Sequence, residues 1–175
     1  MNIKIKNQKG LSTLQTVVIA ITVIICISFF IDLTNVVKKQ QAVSLTSTFV
    51  SRTIAKQGGV RVSAPNEFME KEDYINSADL YNKVKKSMNS ANIPDNQWSL
   101  KIKTPTQGTI TIKPNTNLTL VDAGKDMEIT LTVNYKWDVV SKVIPFNPNG
   151  QINSKRVATS TLKVRGNTNL ETQLK

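Results

Sequence analysis

The chain has 175 residues, with 23 Lys or Arg against 12 Asp or Glu, so its formal net charge is +11. It contains no histidine and a single cysteine, Cys26. This composition excludes an intrachain disulfide, a Ser-His-Asp or Cys-His triad, and the usual ligand sets for zinc, haem and iron–sulfur clusters. We therefore expect no catalytic residue, no metal site and no cofactor, and we expect that the protein is not an enzyme.

The N-terminus combines a short basic leader with one long apolar stretch. The first ten residues include three lysines and end in Gly10. Residues 11–33 are mostly apolar, and the first charged side chain among them is Asp32. About 20 apolar residues cross a ~30 Å hydrocarbon core, and only a helix satisfies its own backbone in a single span. We predict a transmembrane helix at residues 11–33, and the lipid bilayer is the first expected partner.

The charge distribution predicts the orientation of this helix. Positive residues beside a span tend to remain cytoplasmic, so the lysine-bearing leader is expected inside and the rest of the chain outside a cell membrane crossed once. A cleaved signal peptide is the main alternative, but its apolar region is usually only ~7–15 residues long, and no small-x-small site follows Phe30. A buried helix of a soluble protein is the other alternative, but no other part of the chain is apolar enough to surround it.

The helix is expected to continue outside the membrane through residues 34–59. No proline occurs before Pro65, and Gly58 and Gly59 are suited to end the helix after Lys56. A helix from Ser12 to Gln57 would be about 65–70 Å long. Its outer part carries an apolar stripe at helical spacing, formed by Leu33, Val36, Val37, Val43, Phe49, Val50 and Ile54. This stripe is expected to pack on the rest of the same chain or on a neighbouring subunit.

A second, short helix is predicted at residues 78–90. Ser77 can cap its N-terminus, and Asp79 falls in its first turn. Its buried row is expected at three positions spaced by four, Leu80, Val84 and Met88.

The remainder of the chain alternates apolar and polar residues, which predicts β-strands. The most regular run covers residues 127–139, where seven alternate positions from Met127 to Val139 are apolar. Three further strands are expected before this run: one at residues 98–103, a short one with Ile110 and Ile112, and one with Leu118 and Leu120. A loop is expected at residues 145–153, followed by a last strand at residues 155–165. The inner face of this last strand includes Ala158, Ser160, Leu162 and Val164.

These elements predict an α+β fold, in which a long N-terminal helix packs on a small antiparallel sheet of four or five strands. The expected organisation is a leader at residues 1–10, the span at 11–33, its outer continuation at 34–59 and an α+β head domain at 60–175. An antiparallel sheet needs one apolar face covered, and the outer half of the long helix offers a matching stripe.

With these features, the chain resembles type IV pilin-like proteins and pseudopilins. Gly10 matches the glycine before the leader cleavage point of that class, and Leu11 would be the first mature residue. The resemblance implies cleavage by a prepilin peptidase on the cytoplasmic side, and assembly with other pilin-like subunits and assembly-platform proteins. The fifth mature position, usually glutamate, is Gln15 here. Glutamine can donate and accept hydrogen bonds, but it cannot form an ion pair with a neighbour's terminal amine.

Two subgroups are similar in pattern. Minor pilin-like proteins of tight-adherence systems are similar over residues 11–59, including the step Phe30-Ile31-Asp32. Pilin-like proteins of Gram-positive conjugative elements are also similar at residues 129–140 and in the following Ile144-Pro145-Phe146.

The resemblance implies a structural role as a minor pilin or pilin-like subunit of a surface pilus, secretion or conjugation apparatus. Helix packing in lipid relies on small residues and on polar hydrogen bonders, so Gln15, Thr16 and Ala20 are the expected assembly positions. The alternative is a signal-anchored extracytoplasmic module that binds cell wall, DNA or a machine component without polymerising. Nucleic acid is a weaker candidate partner, because the basic residues are scattered and are not interleaved with aromatic residues.

Overall fold

The computed structural model of the chain describes residues 4–66, 68, 71–144 and 149–162, with side chains from Ser12 onward. The fold is α+β, as predicted: a long N-terminal helix and a four-stranded antiparallel sheet. Within the described ranges, the helices are α1 (Lys4–Gln57), α2 (Ser77–Ser90) and α3 (Val140–Val143), and the strands are β1 (Trp98–Thr104), β2 (Gly108–Thr111), β3 (Asp126–Lys136) and β4 (Asn149–Thr159).

The chain divides into two compact units. The first, which we call the helical unit, joins Met1–Lys38 to Tyr135–Gly150. The second, the sheet unit, joins Lys39–Asn134 to the chain from Gln151 onward.

Helix α1 is longer than predicted at its N-terminus and ends where predicted. It begins at Lys4 rather than at Ser12, because no proline interrupts this part and one glycine costs a helix only about 1 kcal/mol. It ends at Gln57, and Gly58 takes the left-handed conformation with φ +66°. The Gly58 carbonyl accepts a hydrogen bond from the Val121 N–H at 2.8 Å. A Cβ on Gly58 would lie 2.7 Å from the Val121 carbonyl oxygen, so this position requires glycine for space as well as for conformation.

In the sheet unit, the C-terminal part of α1, from Lys39 to Gln57, covers the apolar face of the sheet, as predicted. The buried cluster of this unit combines residues of α1, α2 and the strands, among them Val43, Val50, Ile54, Leu80, Leu100, Ile102, Ile129 and Leu131. Thr46, Ser47 and Gln57 of α1 are also buried, which hydrophobicity alone does not predict. The Ser47 hydroxyl lies 2.7 Å from that of Ser154 and accepts a hydrogen bond from Arg156 Nε at 3.0 Å, so this buried polar group is satisfied by β4.

The N-terminal end of the predicted apolar stripe is not buried by the chain itself. Leu33 and Val37 are 39% and 44% exposed. In the helical unit, the packed side of α1 runs through Ser28 and Asp32, which are buried, and Val36, which is half-buried. Leu33 and Val37 each lie about 100° around the helix from that side.

Helix α2 confirms the predicted position and the buried row of Leu80, Val84 and Met88, but not the predicted cap. The N-cap is Asn76, whose side-chain oxygen accepts a hydrogen bond from the Asp79 N–H at 2.8 Å. The Ser77 hydroxyl instead donates to the Pro114 carbonyl at 2.7 Å and is buried. The cap therefore lies one residue earlier, because Ser77 faces the protein interior.

The sheet has the strand order β2-β1-β3-β4. Strands β1 and β3 pair with Leu100 opposite Leu131 and Ile102 opposite Ile129, which places the apolar positions of both strands on one face. The alternation predicted for residues 98–103 is confirmed by the burial of Trp98, Leu100 and Ile102.

Three predictions about the strands need correction. β3 ends at Lys136 rather than Val139, because the backbone then turns into α3. The run with Leu118 and Leu120 is not a strand; the Leu118 N–H donates to the Val60 carbonyl at 2.9 Å, beside the end of α1.

The third correction concerns the predicted loop and last strand. β4 already begins at Asn149, so residues 149–153 are strand rather than loop, and β4 ends at Thr159. Its first half is polar because it forms the exposed edge of the sheet, and composition alone therefore suggested a loop. Ala158, Ser160 and Leu162 are buried as predicted, although Ser160 and Leu162 lie beyond the end of β4. Residues 145–148 and 163–175, including Val164, lie outside the described part.

Candidate membrane span and the Asp32 contact

Helix α1 is long and apolar enough to cross a membrane, and it is the one such helix among the described residues. Only 6% of its most apolar window is buried by the rest of the chain. A helix in the core of a soluble protein would be mostly buried. Residues 12–31 extend about 30 Å at 1.5 Å per residue, which equals the thickness of a bilayer's hydrocarbon core. The structure is therefore consistent with a single-pass membrane anchor in contact with lipid.

Three hydroxyl groups inside this candidate span are satisfied by the helix itself. Thr16, Thr22 and Ser28 each donate a hydrogen bond to the carbonyl four residues earlier, at 2.8, 2.9 and 2.8 Å. An unpaired hydroxyl in hydrocarbon would be costly, so these internal bonds let the polar side chains enter lipid.

The three predicted assembly positions, Gln15, Thr16 and Ala20, are exposed. Thr16 and Ala20 lie one turn apart on the same face of α1, whereas Gln15 lies about 100° from Thr16. Thr16 and Ala20 therefore lie on one face of the helix, and Gln15 lies on the adjacent face. The side chains of Gly10 and Leu11 lie outside the described part, so leader cleavage there stays a prediction.

The most specific contact of the helical unit involves Asp32, at the C-terminal end of the candidate span. Its side chain is only 3% exposed. Its carboxylate accepts hydrogen bonds from the Val139 N–H at 3.0 Å and from the Val140 N–H at 2.8 Å. Two backbone donors thus satisfy a buried negative charge, which otherwise would be strongly unfavourable. We call this arrangement the Asp32 contact.

An aromatic pair lies beside the Asp32 contact. The rings of Phe29 and Trp137 are stacked, with centroids 5.3 Å apart and an interplanar angle of 25°. Val140 is buried, with 8% exposure. Residues 137–144, which we call the interfacial segment, are therefore held against α1 at two levels, Phe29 and Asp32.

The Asp32 contact was not predicted, although the sequence indicates that Asp32 needs a partner. No Lys or Arg lies three or four residues from Asp32, on either side, to form an ion pair along the helix. A lone carboxylate directly after an apolar stretch needs some other partner. The sequence does not show that this partner is a pair of backbone N–H groups more than a hundred residues later.

Among the described residues, no three His, Cys, Asp or Glu side chains come together in a group that could hold a metal ion. Comparison of the chain with protein-family models gave no match, and neither did comparison with curated proteins or with solved structures.

Proposed function

We propose that the protein is a structural minor pilin or pilin-like subunit of a cell-surface pilus, secretion or conjugation apparatus. It is held in the cell membrane by α1, with the leader in the cytoplasm and the sheet unit outside. One observation carries the proposal: an apolar helical segment that the rest of the chain leaves unburied directly follows a basic leader ending in Gly10.

The physical basis is that such a helix needs an apolar environment on all sides. Lipid supplies this environment while the subunit waits in the membrane, and neighbouring helices supply it in a filament. Association of helices in lipid depends on close packing and hydrogen bonds. In this proposal, Thr16 and Ala20 allow close approach, and Gln15 hydrogen-bonds to an adjacent subunit.

Mass spectrometry of the protein purified from its native host tests this function. The proposal predicts a mature N-terminus at Leu11 in the native chain, and an intact leader in Gly10→Trp. Gln8→Trp is the matched control, because it adds the same bulk inside the leader but leaves the glycine in place, and it should still be cleaved. An intact leader in the native chain would contradict a pilin-like role.

A signal-anchored binding module is the second candidate, and the exposed cations favour it. The chain carries a net charge of +11, and Lys101 and Lys103 are exposed on β1. Affinity for DNA that falls steeply with salt would support this candidate's nucleic-acid form.

Cysteine cross-linking separates the two candidates, because the chain has only one native thiol. Single cysteines are placed along residues 14–27 in a Cys26→Ser background and oxidised in membranes. A packed subunit predicts cross-linked dimers that recur every three or four positions and include Thr16→Cys and Ala20→Cys. A non-polymerising module predicts no such periodicity.

A further inference from the structure

We infer that the interfacial segment, residues 137–144, is a membrane-contacting element that lies in the outer headgroup region of the bilayer, beside the point where α1 leaves the lipid. This inference rests on the proposed membrane span. It adds a second contact with lipid, made by a part of the chain more than a hundred residues from the span.

The depth of the segment follows from the length of the span. If residues 12–31 cross the hydrocarbon core, then Phe29 lies near its outer boundary and Asp32 lies at or just beyond it. Trp137 stacks on Phe29, and Val139 and Val140 bind Asp32. These contacts place the segment at the level of the boundary.

The exposed side chains of this region suit a lipid interface. Phe29 and Phe30 are 45% and 65% exposed, and Val143 is 40% exposed. Aromatic residues are enriched where hydrocarbon meets headgroups, and Trp137 supplies an amphipathic ring at this level. Lys142, next to Val143, is exposed and can reach lipid phosphates.

The Asp32 contact removes the obstacle to such a position. A free carboxylate at the edge of the hydrocarbon would be costly and would repel anionic lipids. Here the charge is buried and bound by two N–H groups, so the surface offered to lipid is apolar and basic. In the same region Lys38, Lys136 and Lys142 are exposed, against the single exposed carboxylate of Asp138.

A bilayer fits this surface better than a second copy of the chain. Another copy would bring the same excess of positive charge, whereas anionic lipid brings the opposite charge. Lipid also needs no matching shape, and the exposed apolar groups here are few and placed beside the span.

Fluorescence in vesicles tests the inference, with the full chain reconstituted in mixtures of phosphatidylcholine and phosphatidylglycerol. The chain has two tryptophans, and Trp98 is buried in the sheet unit, so the difference between wild type and Trp137→Phe reports on Trp137. Acyl chains brominated near the headgroup should quench the Trp137 signal about twofold or more, and chains brominated near the bilayer centre should quench it less. Equal quenching of both tryptophans, or stronger quenching from the bilayer centre, would overturn the inference.

A second readout leaves both tryptophans unchanged. A nitroxide on Val143→Cys in a Cys26→Ser background should collide more often with oxygen than with a water-soluble nickel chelate. The reverse order would contradict a lipid position. Flotation of the chain with the vesicles is measured in the same samples. Failure of the chain to float with the vesicles would contradict the proposed span, whereas flotation without quenching of Trp137 would contradict only this inference.

Discussion

The Asp32 carboxylate accepts a hydrogen bond from the Val140 N–H at 2.8 Å across a sequence separation of 108 residues. A second bond, from the Val139 N–H at 3.0 Å, completes the contact. A side chain at the end of the apolar part of α1 therefore helps to hold residues 137–144 in the helical unit, together with the stacking of Phe29 on Trp137.

Replacing Asp32 by alanine should release this segment. A hydrogen bond to a charged group contributes about 1.5–3 kcal/mol, so the Val139 and Val140 amides should exchange with deuterium at least about tenfold faster in Asp32→Ala. Asn35→Ala, at an exposed polar position one turn further along α1, is the matched control and should leave both rates unchanged. Unchanged protection in Asp32→Ala would show that the contact does not hold the segment.

The contribution of α1 to the sheet unit is tested by one buried and one exposed side chain on the same helix. Ile54 is fully buried in the core cluster, so Ile54→Ala should lower the free energy of unfolding by about 2–5 kcal/mol. Leu45 is 73% exposed, and Leu45→Ala should change the free energy of unfolding by less than about 0.5 kcal/mol. Urea unfolding in detergent measures both, and equal effects would contradict the packing of α1 on the sheet.

The end of α1 is tested by two glycines that share a backbone conformation but differ in surroundings. Gly58 and Gly108 have φ values of +66° and +70°, so alanine at either position costs about 1–2 kcal/mol in backbone strain. A Cβ on Gly58 would also meet the Val121 carbonyl and Leu162, whereas one on Gly108 would meet nothing within 4 Å. Gly58→Ala should therefore destabilise by about 1–3 kcal/mol more than Gly108→Ala in the same unfolding assay. Similar losses would mean that the space around Gly58 is not constrained.

Several features of the fold follow directly from the sequence. The end of α1 at Gly58, the buried row of α2 and the alternation in β1 and β3 were all predictable, because each depends on local periodicity or on a residue with special backbone freedom. The cap of α2 was predicted one residue late, because Ser77 and Asn76 are both good caps and only the packing of Ser77 against Pro114 distinguishes them.

The partner of Asp32 and the start of β4 could not be predicted, for a different reason. Both depend on pairings between distant parts of the chain, and these leave no periodic trace. The Asp32 contact also explains why β3 ends early. The N–H groups of Val139 and Val140 bind Asp32 and so are not available to a neighbouring strand, and the chain turns into α3.

The sheet unit should lose stability in alkaline solution because of Tyr74. Burial raises the pKa of the Tyr74 hydroxyl above 10.0, although its hydrogen bond from the Arg61 N–H, at 2.9 Å, and the charge of Arg61 act in the opposite direction. The folded state therefore favours the neutral phenol. Its stabilising effect is complete below the unfolded pKa of 10.0 and is lost as pH rises through the higher folded pKa.

Urea unfolding in detergent between about pH 9 and pH 11 measures this effect. The free energy of unfolding should fall over that range, and the fall should be shallower in Tyr74→Phe, which has no ionisable hydroxyl. Tyr74→Phe should also be less stable by about 1 kcal/mol at neutral pH, because the Arg61 N–H loses its acceptor. An identical alkaline slope in both proteins would contradict the role of Tyr74.

The proposed topology, in which α1 crosses the membrane and leaves the sheet unit outside, is tested most directly by thiol labelling in intact cells. A membrane-impermeant maleimide is applied to the native chain, whose only thiol is Cys26 in the span, and to Cys26→Ser combined with Lys125→Cys, an exposed position of the sheet unit. The account predicts that both chains stay in the membrane after carbonate washing and that only the cysteine at position 125 is labelled. A chain found in the soluble fraction, or labelling at position 125 only after lysis, would contradict it.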